Sequence, residues 1–255
     1  MATTILGRLL PTRLLYHEDA YMKEFNAKVL SVQKPNGQYK IILDQTAFYP
    51  MGGGQPADTG TIKGENGEAI VKDVRMENQF AVHIADEMKG RIEGGENVEG
   101  AIDWNRRYTL MCNHTLAHLM AEAVRKVTGK DVEVVSSGLD VDKARLDLAY
   151  DGSLGPIFPE IQEAANSIVR ESMPVEIKNM PREEAVEYVA RFHESLKTLP
   201  AHVKSVRIVE IKNWHACACG GTHVRSTGEI GVVEVLRRMS KGKGVERIEF
   251  RAKMS

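Results

Sequence analysis

The chain has 255 residues, with 34 Lys and Arg against 35 Asp and Glu and a formal net charge of −1. Its 42% hydrophobic and 27% charged residues are those of a folded globular protein, which excludes intrinsic disorder, a collagen-like repeat and a coiled-coil rod. Near-neutral balance excludes a general polybasic coat but leaves room for a local basic patch.

The three cysteines, Cys112, Cys217 and Cys219, are too few for a disulfide framework. They fit a reducing compartment in which thiols bind metal or do chemistry. No stretch approaches the roughly 18 apolar residues of a membrane span. The opening MATTILGRLLPTRLL has basic residues and no acid, as a transit peptide would. Tyr16-His17-Glu18-Asp19 then turns acidic without a cleavage signal, so the start reads as a short extension of a cytoplasmic protein.

In chain order, the first hundred residues are β-rich. Apolar and β-branched runs near 26–33, 38–44, 68–75 and 80–85 are separated by the turn segments Pro35-Asn36-Gly37 and Gly64-Glu65-Asn66-Gly67. Such spacing predicts hairpins in a small barrel-like or sandwich-like module. Residues 86–100 carry four glycines among charges and read as a linker, giving domains of 1–95 and 96–255. The pattern then alternates helix and strand. A long helix is predicted over 105–128, with Asp103 as N-cap and Gly129 just past its end. Further helices start at Pro159 and Pro181, and strands are expected near 132–136, 144–149, 203–210, 230–236 and 245–251. The fold class is α+β: a barrel-like domain, then helices on a largely antiparallel sheet.

His114 and His118 are four residues apart on the long helix, about 40° apart around its axis, so both rings reach one point beside it. Two core histidines satisfied by hydrogen bonds would be the simpler reading of that pair alone. Cys219-Gly220-Gly221-Thr222-His223 changes it. A thiol and an imidazole flank a glycine pair that lets the backbone turn tightly, so both side chains can converge on one ion. Three imidazoles and one thiolate suit one Zn²⁺ better than Mg²⁺ or Ca²⁺. His215 and Cys217 are spare candidate ligands. No Glu follows His114, which argues against the HExxH protease mechanism.

The pair HTLAH at 114–118 and CGGTHV at 219–224, with Thr46-Ala47-Phe48-Tyr49-Pro50-Met51-Gly52-Gly53-Gly54-Gln55-Pro56-Ala57-Asp58 upstream, resembles the editing domain of alanyl-tRNA synthetase. Thr227-Gly228-Glu229-Ile230-Gly231 and Gly244-Val245-Glu246-Arg247-Ile248-Glu249 are similar to its C-terminal strands. The chain most resembles the free-standing AlaX editing proteins of medium length. That resemblance implies hydrolysis of the ester joining a wrong amino acid to tRNA(Ala): serine, with glycine a second candidate, while Ala-tRNA(Ala) is spared. It implies zinc at His114, His118, Cys219 and His223. Thr46, Ser136 and Ser137 are candidates for the polar partner of a serine hydroxyl. Gly52, Gly53, Gly54, Gln55 and Asp58 are candidates for shaping the substrate pocket. The triplet Gly52-Gly53-Gly54 lacks the Lys-Ser/Thr of a P-loop, so no ATP is expected.

Residues 237–253 hold seven basic residues, among them Arg237, Arg238, Lys241 and Lys243, against Glu246 and Glu249 alone. That strip is a candidate for contact with a phosphate backbone. The expected partner is mischarged tRNA(Ala), with no membrane, and the expected assembly is a monomer or weak oligomer. Two rival readings are editing of another mischarged tRNA such as Ser-tRNA(Thr), and a zinc-stabilised RNA-binding module without catalysis. A redox role for Cys217 and Cys219 is disfavoured because Cys219 is committed to metal.

Overall fold

The computed structural model describes residues 10–242 and 244–254. The first nine residues of the expected N-terminal extension, and Lys243 of the basic strip, lie outside the described residues. The chain divides into two compact units. The first takes the described residues before Gly53 together with Pro56–Arg107, and the second takes Gly53–Gln55 and the described residues from Tyr108 onward.

The first unit contains β1 (Arg13–Leu14), β2 (Glu24–Gln33), β3 (Tyr39–Leu43), β4 (Gln45–Thr46), β5 (Gly60–Lys63), β6 (Gly67–Glu77), β7 (Phe80–Gly90) and β8 (Asn97–Ile102). Six of these close a barrel in the order β2-β3-β7-β6-β5-β8, and β1 pairs with β4 in parallel. Along β2, Phe25, Ala27 and Val29 are buried while Glu24, Asn26 and Lys28 are exposed, the two-residue alternation of a strand with one wet face. Inward side chains such as Ile41, Leu43, Phe48, Ile62 and Val71 are fully buried. Closure leaves the barrel no free edge.

The boundary expected at residue 95 is corrected. β8 pairs with both β2 and β5, so the stretch read as a linker supplies the strand that completes the barrel. The barrel unit ends only at Arg107. Arg107 is fully buried and paired with the equally buried Asp58. It also donates to the carbonyls of Ala20 and Ala47, at 2.8 and 2.6 Å.

The second unit is built on α1 (Trp104–Thr128), whose first turn belongs to the barrel unit, followed by β9 (Glu133–Leu139), β10 (Ala144–Ala149), α2 (Phe158–Arg170), β11 (Val175–Pro181), α3 (Arg182–Ala190), β12 (Ser205–Ile211), β13 (His215–Ala218), β14 (Val232–Gly242) and β15 (Val245–Lys253). Asp103 caps α1 by accepting the Arg106 N–H at 3.1 Å. Gly129, at φ +64°, ends it by donating to the Arg125 carbonyl. Leu110, Met111, Leu116, Leu119, Met120, Ala123 and Val124 are all fully buried, so α1 is apolar on most of its circumference and runs through the core.

The strands form two antiparallel sheets, β14-β15-β10-β9 and β11-β12-β13. The edge strand β14 is covered by α2: Gln162 accepts the Val235 N–H at 3.0 Å and Asn166 the Val233 N–H at 2.9 Å. α3 packs Ala185 and Val189 against Val206, Ile208 and Ala216 of the smaller sheet. β11 and β13 were not foreseen. β11 is nowhere buried, so it has no apolar alternation, and β13 lies in the segment read as a metal loop.

Candidate metal centre and adjoining cavity

α1 brings His114 and His118 together, with ring centroids 5.2 Å apart. The segment after β13 delivers Cys219 and His223. Cys219 Sγ lies 3.4 Å from His114 Nε2 and 3.3 Å from His223 Nε2. One donor atom from each of the four residues falls within 4.8 Å of the others. Donors around a tetrahedral ion with M–N of about 2.0 Å and M–S of about 2.3 Å stand roughly 3.5 Å apart. The four residues brought together are those expected from the sequence, and their spacing fits a four-coordinate metal.

Hydrogen bonds fix which ring nitrogens face the centre. Gln55 Oε1 accepts the Thr222 backbone N–H at 3.1 Å, so the oxygen of that amide is identified by an unambiguous donor. The same oxygen is 2.8 Å from His114 Nδ1, so Nδ1 carries the proton and Nε2 presents a lone pair. Gln55 Nε2 donates to Thr222 Oγ1 at 2.9 Å, which completes the clamp. Thr115 does the same for His223. Its hydroxyl donates to the Met111 carbonyl at 2.9 Å and accepts the Val224 N–H at 3.2 Å. It therefore accepts from His223 Nδ1 at 3.1 Å, leaving Nε2 as the free donor atom. Carboxamide and hydroxyl partners of this kind orient metal-binding histidines.

Electrostatics agree with that assignment. Burial, helped by the charge of Arg207, pulls His114 from 6.5 down to about 3, and burial also holds His118 and His223 well below 6.5. All three rings are neutral, the form that binds metal. Burial raises the Cys219 thiol, so binding an ion there displaces a proton.

Gly221 is required by close approach. A Cβ at that position would overlap the His114 ring and sit 2.8 Å from Gln55 Oε1. At Gly220 a Cβ would meet nothing within 4 Å.

A cavity of about 240 Å³ borders the centre. His114, His118, Cys217 and Cys219 line it together with Gly53, Ala117, Val134, Ser137, Glu194 and His215. Gly53 and Gly54 adopt φ of +56° and +83°, the left-handed region open to glycine. Gly54 also accepts the Leu139 N–H at 3.0 Å.

The remaining expected site residues separate. Ser137 lines the cavity, whereas Ser136, one residue earlier on β9, lies 3.4 Å from Arg145 Nη1 and outside that lining. Strand alternation explains the difference. Gln55 is fully buried and holds a ligand rather than offering itself to a substrate. Asp58 is corrected to a structural role: it is fully buried and spent on Arg107 and on the Tyr49 N–H at 2.6 Å. Thr46 is likewise buried in the barrel unit, with its hydroxyl 2.8 Å from His83 Nε2 and accepting the Phe48 N–H at 3.1 Å. The Gly52 carbonyl accepts the Tyr49 hydroxyl at 2.9 Å in the same unit.

Of the basic strip, Arg238 is paired with Glu246, Arg247 with Asp147 and Arg251 with Glu234. Arg237 and Lys241 are exposed and make no ion pair among the described residues. Thr115 and Glu194 escaped the sequence reading. Thr115 stands inside the His114–His118 motif, but Glu194 has no local signal.

Residues 15–106 match the family model described as tRNA synthetases class II (A), and residues 206–249 match the threonyl and alanyl tRNA synthetase second additional domain. The chain is 41% identical over 243 residues to alanine–tRNA ligase of Ignicoccus hospitalis and 42% identical over 241 residues to that of Pyrococcus abyssi. Each alignment covers 94% of this chain and 26% of the relative. The chain thus spans about a quarter of the length of the curated relatives it matches. It is similar to alanine–tRNA ligases over that quarter of their length, and its residues 206–249 are similar to the second additional domain of threonyl and alanyl tRNA synthetases.

Proposed function

We propose that this chain is an AlaX-type editing hydrolase that deacylates mischarged Ser-tRNA(Ala) while sparing Ala-tRNA(Ala). The observation that carries the reading is the cavity in which the His114, His118 and Cys219 side chains share one lining with Ser137 and Gly53. Similarity to alanine–tRNA ligases and to the second additional domain points the substrate class to aminoacyl-tRNA.

The residues for the ion are His114, His118, Cys219 and His223, and their nitrogen-rich set with one thiolate is that of Zn²⁺. When bound, zinc supplies a Lewis acid able to polarise an ester carbonyl or a water. The chain does the rest. An aminoacyl ester is already activated, so most of the task is holding it and a water in register. Gly53 and Gly54, with no side chains, let the ester approach the backbone closely. Ser137 gives a seryl hydroxyl a partner that alanine leaves unpaired, and a polar site built this way rejects the analogue lacking the hydroxyl. Arg237 and Lys241 are free to meet tRNA phosphates.

Deacylation assays on Ser-tRNA(Ala) and Ser-tRNA(Thr), with wild type beside Cys219→Ala, test the reading. Metal-dependent hydrolysis of Ser-tRNA(Ala), lost in Cys219→Ala, is expected. Hydrolysis of Ser-tRNA(Thr) alone would assign the chain to the other synthetase, and folded, metal-loaded protein that hydrolyses neither would make it a binding module.

A further inference from the structure

Beside the four-residue centre lies a second group of donors that the proposed reaction does not use. His118, His215 and Cys217 each offer one atom within 4.8 Å of the others. Cys217 Sγ is 3.5 Å from His118 Nδ1, and the rings of His118 and His215 are 5.3 Å apart edge to face. Positions 215 and 217 are alternate residues of β13 and so share one face of it.

His215 is the telling residue. It is 2% exposed. Its Nε2 lies 3.2 Å from Glu194 Oε1, a carboxylate that can only accept, so Nε2 carries the proton. Its Nδ1 is buried with no hydrogen-bond partner. A buried imidazole nitrogen left bare is costly in a core. A carboxylate holding one nitrogen while the other presents a lone pair is how metal-binding histidines are oriented. Arg125 donates to the same Glu194 oxygen at 2.7 Å, which fixes the carboxylate in place.

The two donor groups share His118, and its Nδ1 is the nitrogen beside Cys217. The positions of the two groups differ in access at one residue, since His114 and Cys219 line the cavity too. His118, His215 and Cys217 all line the cavity, whereas His223 does not. An ion entering through the cavity meets His215 and Cys217 on its wall, and the tetrad is complete only with His223 behind it.

We propose that His118, His215 and Cys217 form an acceptor station for a thiophilic divalent cation, which takes the ion from solution and passes it to His114, His118, Cys219 and His223. His118 stays within reach of both groups, so the ion is handed over by ligand exchange and never released. The Cys217 thiol gives a proton to water as it binds, then takes one back as Cys219 gives up its own and replaces it. No oxidation state changes.

The proposal rests on the tetrad being a metal centre, and the test separates the two. Apo protein is titrated with Co²⁺ and read by its thiolate-to-cobalt charge-transfer absorption. The Cys219→Ser variant removes the tetrad's sulfur. It is expected to keep a charge-transfer band, which disappears in Cys217→Ser/Cys219→Ser. Should Cys219→Ser bind Co²⁺ without that band, or not bind it while wild type does, the station is refuted and the tetrad stands. Wild type that takes up no Co²⁺ refutes both. Variants that keep the tetrad supply a second measurement in case Cys219→Ser does not fold. With Zn²⁺ delivered from a chelator buffer, Cys217→Ser and His215→Ala are each expected to reach wild-type occupancy about tenfold more slowly. Uptake at the wild-type rate in both would overturn the hand-off.

Discussion

Gln55 Oε1 stands 2.8 Å from His114 Nδ1 and also accepts the Thr222 N–H. That one oxygen ties the glycine-rich segment to the helix and to the loop that supply the metal ligands, and it selects the tautomer of His114.

Gln55→Ala removes this acceptor and leaves a protonated Nδ1 and a backbone N–H buried without partners. Metal affinity is expected to fall about 10–100-fold, as for other outer partners of ligands. Thr115→Val is expected to act alike through His223. Competition with a chromophoric chelator measures both.

Adjacent glycines give a sharper contrast. Gly221→Ala drives a methyl group into the His114 ring, while Gly220→Ala points one into open space. The first variant is expected to lose metal binding, with the second at wild-type affinity. Isothermal titration with Zn²⁺ on the two proteins decides, and equal affinities would mean that the loop does not approach His114 this closely.

His83 in the barrel gives a pH dependence. Its Nδ1 donates to the Ile41 carbonyl at 3.0 Å, its Nε2 accepts from Thr46, and burial lowers it from 6.5 to about 4. The folded state holds the neutral ring and the unfolded chain takes up a proton below pH 6.5. Stability is therefore full above that pH and declines as pH falls toward 4, by about 1.4 kcal/mol per unit. Between pH 6.5 and 5, wild type is expected to lose about 2 kcal/mol more than His83→Gln in urea unfolding.

Much of this was legible in the sequence, and the reasons differ by element. The barrel strands showed because one wet face enforces alternation, as along Phe25, Ala27 and Val29. The four ligands showed because helical spacing and a glycine pair constrain where side chains can go. β8 was hidden by the glycines and charges around it. The partners of Asp58 and Thr46 could not be read locally, because a buried ion pair with Arg107 and a contact with His83 join residues far apart in sequence. His215 stood out as a spare candidate ligand, but its partner Glu194 was opaque for the same reason: only the folded chain sets a carboxylate against that ring.

Ser137 and Ser136 separate pocket from strand. Ser137→Ala is expected to lower kcat/KM for Ser-tRNA(Ala) about tenfold or more, by loss of the hydroxyl's partner. Ser136→Ala, outside the cavity lining, is expected to stay near wild type. Steady-state kinetics on the two variants checks the assignment.

The most direct test of the account compares deacylation of Ser-tRNA(Ala) and Ala-tRNA(Ala) by the zinc-loaded protein. The account predicts that the seryl ester is cleaved on the order of a hundredfold faster or more, and that both activities vanish in Cys219→Ala. Equal rates on the two esters, or full activity in Cys219→Ala, would contradict it.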